Sequence, residues 1–529
     1  MSWLDGVIAF FSPQAAAKRM AWKNAYDEIR NYDAGNFGRI NSHWRVANEP
    51  AEATDRYSRE WVRARARDLE RNSDIMNAVL GAYRRNVIGS GFQVQAKTPS
   101  AAVNQEIETL WRKWCRARNC DITGTQELNQ MLRMAVTRKK VDGGCLFVKV
   151  FNKDWEKDGM LLPFCIQMIE VDELDGSQST PKTPGGRVAG GIEYNAYNRA
   201  VGYWINQYTL DGFPMAQPRY VPAKDVVFYF SKKRPSQIRE MSDMAQTVTR
   251  IRDVNEFVNA VAVKQRIEAC LSVFIKRQLP TQGIGRSGSA SIPERHSYDG
   301  KTLTPGMIRE MNMGDDIEVV NPSGQSADAS SFVKFMQRLV GAGQGLSYEA
   351  MSRDMSETNY ASARQGAIED EMTFLEEKEM LISILDEIYE TFVISCVVSG
   401  RISIPGFWDG KKDAYLAHEW IQPPKRWIDP LKESAAMKTA LNAGVKTYKQ
   451  VCAENGVDWQ AQIDDIVEVS EYAASMGLGN FNSVIFDNKL QQGQEESNGT
   501  GNSGFGSGDA AGGGVASFGD EEGDDEGAD

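Results

Sequence analysis

Between Gly144 and Glu240, apolar and polar residues alternate with a period of two in several short stretches. These stretches are CLFVKVF, FCIQMIEV, GGIEYNAYNRAVGYWI and DVVFYFS, and turns rich in Gly, Pro and Asn separate them. Alternation that is bounded by turn residues is typical of β-strands. The sequence therefore predicts a β-sheet in the first half of the chain.

Outside this region the apolar residues recur three to four positions apart, which is the spacing of helices that bury one face. Near the end of the chain, Asp429, Pro430 and Gly444 fit the cap, the first residue and the stop of a helix. Together with the strands, these segments predict an α+β fold. The predicted helices lie within 15–72, from 74 to near Gly89, at 100–120, from Met241 over about thirty residues, from about Ser330 to 344, at 360–398, at 429–444, at 447–456 and at 458–477.

Within the first of these regions, Arg59, Arg63 and Arg67 follow one another at four-residue steps, so they share one helix face. Acidic residues alternate with them, which favours a solvated face or a contact between subunits. A stripe that binds nucleic acid is the alternative, and the sequence leaves both open.

The long helix predicted at 360–398 has an apolar stripe and an acidic first half. Its acidic residues include the neighbours Glu376 and Glu377, which are predicted to lie on a solvated face because adjacent helical residues point about 100° apart. The apolar stripe consists of Ile368, Met372, Leu375, Leu385, Ile388, Phe392 and Cys396.

Between the helix that starts near Ser330 and the long helix lies the segment GLSYEAMSRDMSETNY, residues 345–360. It is rich in Ser, Met, Asn and Asp and has no apolar stripe of its own. Such a segment could be an active-site loop, or a surface that contacts a partner only weakly.

Charge separates the end of the chain from its body. The net charge of −12 is concentrated in residues 490–529, which contain ten acidic residues and no basic one. The remaining 62 acidic and 60 basic residues nearly balance. Tight binding of duplex DNA requires a basic surface, so a near-neutral body argues against it. Residues 488–529 are rich in Gly, Ser, Asp and Glu and are predicted to be disordered.

The sequence contains no recognisable catalytic set. It has no GxSxG, GxxxxGK[ST] or HExxH motif. GIGRSG, at 283–288, matches GxGxxG, but no helix can open directly after it, so it is interpreted as a loop. The seven scattered cysteines and three histidines predict reduced, mostly buried thiols and no metal centre. Neither an enzyme nor a cofactor is expected.

No membrane segment is expected either. The apolar run at 7–11 is too short to span a bilayer and lacks the basic residues of a signal peptide. It is interpreted as a docking segment.

The order of these elements resembles the portal proteins of tailed bacteriophages, specifically the lambda-type portal family. Five stretches in the right order carry the resemblance across roughly 15–480. They are RARDLERNSDIMNAVLGAYRRNVIGSGFQVQ, GGIEYNAYNRAVGYWI with VPAKDVVFYF, RPSQIREMSDMAQTVTRIRDVNEFVNAVAVKQRIEACLSVFIKR, GLSYEAMSRDMSETNYASARQGAIEDE and WIDPLKESAAMKTALNAG.

The resemblance implies a homo-oligomeric ring, typically of twelve subunits, at one vertex of the virion capsid, with double-stranded DNA passing through its centre. It also implies a division of the chain into named parts. These are an N-terminal arm at 1–19, a mixed α/β wing at 20–240, stem helix 1 at 241–273, a small β-containing clip at 274–327, stem helix 2 at 328–344, a tunnel loop at 345–360, a wing return with the long helix at 361–428, a helical crown at 429–487 and the acidic tail at 488–529.

By position, the tunnel loop is expected to face the channel and to contact DNA without sequence specificity. Weak polar contacts and flexible methionines suit a rod that must slide, because each neutralised phosphate adds affinity. Arg353 is expected to be partly neutralised by Asp354. The residues assigned to this surface are Leu346, Ser347, Met351, Ser352, Arg353, Asp354, Met355, Ser356, Thr358 and Asn359.

Two further surfaces follow from the resemblance. Lys334 and Arg338 lie four apart and would place a mild basic ring on stem helix 2, or else face the neighbouring stem helix. The clip would bind the terminase large subunit and later the head–tail adaptor, through Arg286, Arg295, Tyr298 and Lys301. The major capsid protein and the scaffold would be further partners, with assembly in the host cytoplasm.

Two other functions remain alternatives. One is another ring-forming adaptor of the head–tail junction, although such adaptors are usually much shorter than 529 residues. The other is an enzyme associated with the capsid.

Overall fold

A computed structural model provides the structure of the chain. It describes residues 12–30, 43, 46, 48–209, 211–215, 217–269, 273–277, 315–319, 326–424, 427 and 429–477. The chain divides into two compact units, Met1–Asp458 and Trp459–Asp529. In the second unit, the described part is essentially the helix Trp459–Ser475.

The α+β prediction is confirmed, because long helices and four small sheets make up the described structure. The helices are α1 Pro13–Arg30, α2 Ala51–Asp55, α3 Arg59–Asn72, α4 Asp74–Tyr83, α5 Ala101–Trp114, α6 Ala117–Cys120, α7 Leu128–Asp142, α8 Val248–Ala269, α9 Ser326–Gly343, α10 Tyr348–Ser352, α11 Tyr360–Val398, α12 Lys412–Leu416, α13 Pro430–Asn442, α14 Tyr448–Glu454 and α15 Trp459–Ser475.

The strands pair antiparallel in every sheet that the structure describes. The orders are β1–β11, β3–β2–β8, β4–β5–β6–β7 and β9–β10. The strands are β1 Gln93–Ala96, β2 Gly144–Phe151, β3 Phe164–Glu170, β4 Arg187–Ala189, β5 Ile192–Tyr194, β6 Ala200–Ile205, β7 Arg219–Pro222, β8 Val226–Phe230, β9 Val273–Arg277, β10 Asp315–Val319 and β11 His418–Ile421.

Strand β2 is buried on both faces, which explains its nearly continuous apolar sequence. Side chains alternate across a strand, so Cys145 and Phe147 enter the larger core while Leu146 and Val148 enter a smaller one. The larger core gathers helices α4, α5, α7 and α11. The smaller core lies among β2, β3 and the β5–β6–β7 strands. This one strand therefore joins the two cores.

Aromatic side chains fill the centre of the larger core. Trp114 stacks on Phe164 of β3, with ring centroids 5.2 Å apart, and its indole Nε1 donates to the Phe164 carbonyl. Trp111 contacts Phe392 of α11 edge to face at 5.0 Å. Edge-to-face and offset contacts are the favourable arrangements for aromatic rings. The C-terminal half of α11 is thereby fixed against α5.

The long helix α11 has the predicted bounds, but only half of the predicted stripe is buried. Its C-terminal half buries the side chains of Leu385, Ile388, Phe392 and Cys396. The prediction is wrong for Ile368, Met372 and Leu375, which are 44%, 59% and 40% exposed. The first half of the helix therefore has an apolar face that nothing covers in the described chain.

Helices α8 and α9 pack against each other, with the rings of Phe257 and Phe332 4.7 Å apart. Helix α8 begins at Val248 rather than at Met241. In the turn before it, the Thr247 hydroxyl donates to the Met244 carbonyl, and Ser242 Oγ accepts from the Met244 N–H and donates to the Lys140 carbonyl of α7, so these side chains hold the backbone outside a helical pattern. Between these helices in sequence, β9 and β10 form a two-stranded ladder.

Candidate functional site

The candidate site is the segment from Gly345 to Tyr360, together with the end of α9 that precedes it. The end of α9 is attached to the start of α8 through Gln344. Its backbone carbonyl accepts a hydrogen bond of 2.5 Å from the Tyr83 hydroxyl, and its side chain donates to Thr247 Oγ1 at 3.2 Å. These bonds tie α4, α8 and α9 together directly below the segment.

The first part of the segment is anchored in the larger core. Leu346 and Met351 are only 4% and 3% exposed, and Met351 lies on the short helix α10, which packs against α4. The expectation that the whole segment faces a channel is wrong for these two side chains, because burial leaves them no surface to offer. Ser347 caps α10 by accepting from the Ala350 N–H.

A second anchor joins the segment to α11. The Ser347 N–H and hydroxyl donate to the two carboxylate oxygens of Asp370, both at 2.6 Å, and the Thr373 hydroxyl donates to the Gly345 carbonyl at 2.8 Å. Burial, together with the charge of Glu349, raises the pKa of Asp370 despite the bonds from Ser347, which lower it. Ser347 is therefore a structural residue of the segment rather than part of a free surface.

The remaining part, from Ser352 to Asn359, has no buried side chain. Arg353 adopts a left-handed conformation with φ of 60°, which turns the chain at the end of α10. Met355 is 58% exposed, and Asn359 caps α11 through the Ser362 N–H at 2.9 Å. Ser352 Oγ accepts from the Asp354 N–H, while the Thr358 hydroxyl donates to Glu349.

The structure brings Lys334 and Arg338 of α9 against this exposed part through Glu357, which sequence reasoning did not single out. Lys334 Nζ lies 2.6 Å from Glu357 Oε1, and an Arg338 nitrogen lies 3.4 Å from Oε2. The hydrogen bond and charge of Lys334 lower the pKa of Glu357. A separation of 19 to 23 residues hides this contact from any local pattern.

Asp354 is paired differently from the expectation. It accepts from the Ser356 N–H at 3.0 Å and from the Tyr348 hydroxyl, and it lies 3.9 Å from Lys334 Nζ. Arg353 has no ion pair within the described residues. The prediction that Asp354 partly neutralises Arg353 is therefore wrong, and Arg353 keeps an exposed charge that has no ion pair in the described part of the chain.

A buried ionic cluster lies under the segment and joins three elements. Lys139 Nζ of α7 lies 2.7 Å from Glu377 of α11 and 3.2 Å from Asp243, which precedes α8. Lys140 lies 3.4 Å from both carboxylates. Burial opposes ionisation of Asp243, but Lys140, Lys139 and Lys233 outweigh it and lower its pKa to about 2.

Glu377 in this cluster contradicts the prediction of a solvated face for Glu376 and Glu377. Glu377 is 5% exposed and also accepts a hydrogen bond from the Tyr229 hydroxyl, whereas Glu376 is exposed as predicted. Burial is again outweighed by Lys140 and Lys139, so the pKa of Glu377 is lowered. The 100° between adjacent helical residues sends one carboxylate into the core and the other into solvent.

The arginines of α3 are likewise not a surface stripe. Arg59 and Arg63 are only 7% and 4% exposed. Arg63 pairs with Asp172 and, at 2.9 Å, with Glu240, while Arg67 pairs with Asp142 at 2.6 Å. The sequence suggested a solvated or subunit-contact face, or else a nucleic-acid stripe. Both interpretations are wrong, because these arginines form ion pairs with acidic residues of the same chain.

Several predicted positions lie outside the described residues. They include the expected clip docking residues Arg286, Arg295, Tyr298 and Lys301, the apolar run at 7–11 and the acidic tail. Of the cysteines that the structure describes, Cys115 is half-buried and the other five are buried, in agreement with the sequence.

The described residues offer no metal centre, since no group of three or more His, Cys, Asp or Glu side chains could hold an ion there. No helix in the described ranges combines the length and the apolar character that a bilayer crossing requires.

Comparison with known proteins gives the family. The model of the family described as "Phage portal protein, lambda family" matches residues 37–378. The chain therefore belongs to the lambda family of phage portal proteins, and the resemblance seen in the sequence is confirmed. This match covers the smaller core, the part of the larger core that precedes residue 379, helices α8 and α9, the candidate site and the first half of α11.

Individual relatives agree over most of the chain. It is 23% identical over 458 residues to a probable portal protein of Halomonas phage phiHAP-1, covering 84% of this chain and 86% of that protein. It is 22% identical over 520 residues to portal protein B of Escherichia phage lambda, covering 89% and 95%. A chain from the neck of a native gene transfer agent particle, computed with C12 symmetry, matches with 12% identity and a TM-score of 0.41, covering 80% of this chain and 99% of that one.

Proposed function

We propose that copies of this chain form the portal ring at the unique vertex of a phage capsid, with twelve subunits in the virion. Double-stranded DNA enters and leaves through the centre of the ring. The observation that carries this proposal is the family match over 37–378, which includes the candidate site, helices α4, α8 and α9 and the first half of α11. The ring assembles in the host cytoplasm and is a component of the virion.

In this ring the described elements take the roles that the family order assigns. Helices α8 and α9 are the two stem helices. Strand β9 lies at the start of the clip, 274–327, and β10 lies near its end, and the two strands pair with each other. Residues 20–240 form the wing, together with the wing return at 361–428 that contains the long helix α11. Helices α13, α14 and α15 belong to the crown at 429–487.

The exposed part of the tunnel loop contacts the DNA backbone. Leu346, Ser347 and Met351 anchor the loop and are not expected to contact DNA. The residues that remain as DNA contacts are Ser352, Arg353, Asp354, Met355, Ser356, Thr358 and Asn359. Hydroxyl, amide and thioether groups make weak, exchangeable contacts. A wall of this kind holds the genome in place without trapping it, because few phosphates are neutralised.

Other partners complete the cycle. The clip binds the terminase large subunit during packaging and the head–tail adaptor afterwards, while the wing contacts the major capsid protein and the scaffold. The sequence has no phosphate-binding loop, so the terminase supplies ATP hydrolysis and this chain supplies structure rather than catalysis.

Electron microscopy and a packaging assay test the proposal. The purified protein should form rings viewed down their axis, and the double variant Lys334→Glu, Arg338→Glu should form the same rings. Packaging by that variant should be slow or aborted, because the reversed charges repel the DNA backbone and release Glu357. A stable compact monomer would contradict the ring, and normal packaging by the variant would contradict the channel role of α9.

A further inference from the structure

The carboxylate of Glu357 occupies a position that an external anion could take. Its two oxygens face two cations of the neighbouring helix, with Oε1 2.6 Å from Lys334 Nζ and Oε2 3.4 Å from an Arg338 nitrogen. A lysine and an arginine that converge on two oxygens of one acid would bind a phosphate in the same way.

The charges at this place balance. Two cations, Lys334 and Arg338, face two carboxylates, those of Glu357 and Asp354, and Asp354 lies 3.9 Å from Lys334 Nζ. Both carboxylates belong to the exposed part of the tunnel loop, and both cations belong to α9. Lys334 and Arg338 therefore offer DNA little net attraction while the loop stays in this position, and Arg353 is an exposed loop cation that has no ion pair in the described chain.

The contact can open without disturbing the core. From Arg353 to Asn359 no side chain is buried, whereas Leu346, Met351 and the Ser347–Asp370 bonds hold the start of the segment. Glu357 is 60% exposed, and its contacts in the described chain are with Lys334 and Arg338. Exposed ion pairs of this kind are weak and exchange readily with other ions.

We propose that Glu357 is an internal competitor of the DNA backbone: it covers Lys334 and Arg338, yields them to a phosphate when one arrives, and takes them back when the phosphate moves on. This inference rests on the proposed function, since it assumes that the tunnel loop and α9 face DNA. Because the displaced carboxylate stays tethered nearby, each bound phosphate meets an immediate rival, which limits how long DNA pauses at any one position.

The test compares three variants of the full-length protein with the wild type. Glu357→Gln removes the competitor, and Glu369→Gln is the matched control. Glu369 is an exposed glutamate on α11 that is hydrogen-bonded to Gln365 and has no ion pair in the described chain. The triple variant Lys334→Gln, Arg338→Gln, Glu357→Gln removes the cations as well.

Binding of a random-sequence duplex is measured against salt concentration at equal subunit concentrations. For Glu357→Gln, log K should fall more steeply with log salt than for the wild type, by about 0.9 for each phosphate newly bound. Glu369→Gln should keep the wild-type slope, and the triple variant should lose the gain. Because residues 357 and 369 are exposed, neither single variant should change the urea midpoint of unfolding.

The inference is overturned if Glu357→Gln keeps the wild-type slope, if Glu369→Gln steepens it equally, or if the gain survives in the triple variant. Native mass spectrometry of the same samples reports the ring separately. Rings without a Glu357 effect would refute the competitor and leave the proposed function standing. If Glu357→Gln changes DNA binding in samples that contain no rings, the result would support the competition by Glu357 and would contradict the proposed ring.

Discussion

Replacing Glu377 by glutamine would leave two buried lysines with one carboxylate where they now have two. Lys139 and Lys140 are only 2% and 7% exposed, and both lie within 3.4 Å of Glu377 and of Asp243. Glutamine has nearly the same shape and can still accept from the Tyr229 hydroxyl, so the substitution removes mainly the charge.

The expected loss follows from the burial of the cluster. Removing one partner of a buried ion pair costs about 3–5 kcal/mol, because the remaining charge is left without compensation. Here Asp243 still faces both lysines. The loss in free energy of unfolding should therefore lie at the lower end, about 3 kcal/mol.

Urea unfolding of the purified protein measures this loss. The neighbour Glu376 provides the matched control, because it is exposed and has no described partner. Glu376→Gln should stay within about 0.5 kcal/mol of the wild type. Adding Lys139→Met to Glu377→Gln should cost less than the sum of the two single changes, since contacting residues couple.

Two results would refute this reasoning. If Glu377→Gln and Glu376→Gln lower the free energy of unfolding equally, the burial of Glu377 adds nothing to the stability of the protein. If Lys139→Met and Glu377→Gln are additive, the two charges do not interact in solution.

Two further predictions concern the same region. The pKa of Asp243 is lowered to about 2, so its contribution to stability is present above the usual aspartate value of 3.8 and is lost as the pH falls through about 2. The fall from pH 5 to pH 2 should cost about 2 kcal/mol, measured as the difference between urea unfolding at the two pH values, and the Asp243→Asn variant should lack this part of the acid dependence. An equal acid dependence in that variant would contradict the assignment. Met351→Ala should lower the free energy of unfolding by about 2–5 kcal/mol because its side chain fills the core, whereas Met355→Ala, at an exposed position, should change it by less than about 0.5 kcal/mol. Similar effects of the two methionine changes in thermal or urea unfolding would mean that the loop is not anchored as described.

The sequence predicted those elements whose pattern is local. The bounds of α11 and the cap of α13 at Asp429 agree with the structure, because periodicity and capping depend on neighbouring residues. The first turn after Met241 did not follow the helical pattern, because Ser242 and Thr247 bond to the Met244 backbone and Ser242 also donates to the distant Lys140 carbonyl, a contact that no local pattern reveals.

The sequence could not reveal which charges are buried. Arg63 and Glu377 have ordinary charged neighbours along the chain, and their partners, Glu240 and Lys139, are 177 and 238 residues away. A charged residue on a helix is most often solvated, so the general rule failed where tertiary contacts supplied opposite charges.

In the candidate site, too, some features follow from the local sequence and others only from tertiary contacts. Composition marked 345–360 as a polar segment, but the roles of Leu346 and Met351 as anchors depend on α4 lying beneath them. The pairing of Glu357 with Lys334 likewise requires α9 to pass alongside the loop. Local composition can locate such a segment, but it cannot separate the residues that hold it from those that are free.

Helix α11 has a mechanical consequence. It is continuous over 39 residues, about 58 Å at 1.5 Å per residue, and contains no proline. Near its beginning, Asp370 and Thr373 form hydrogen bonds with the loop. Near its end, the ring of Phe392 packs edge to face on Trp111. The loop and the aromatic cluster are therefore joined by one continuous helix, so a displacement of the loop strains the contacts of that helix with the larger core rather than a local hinge.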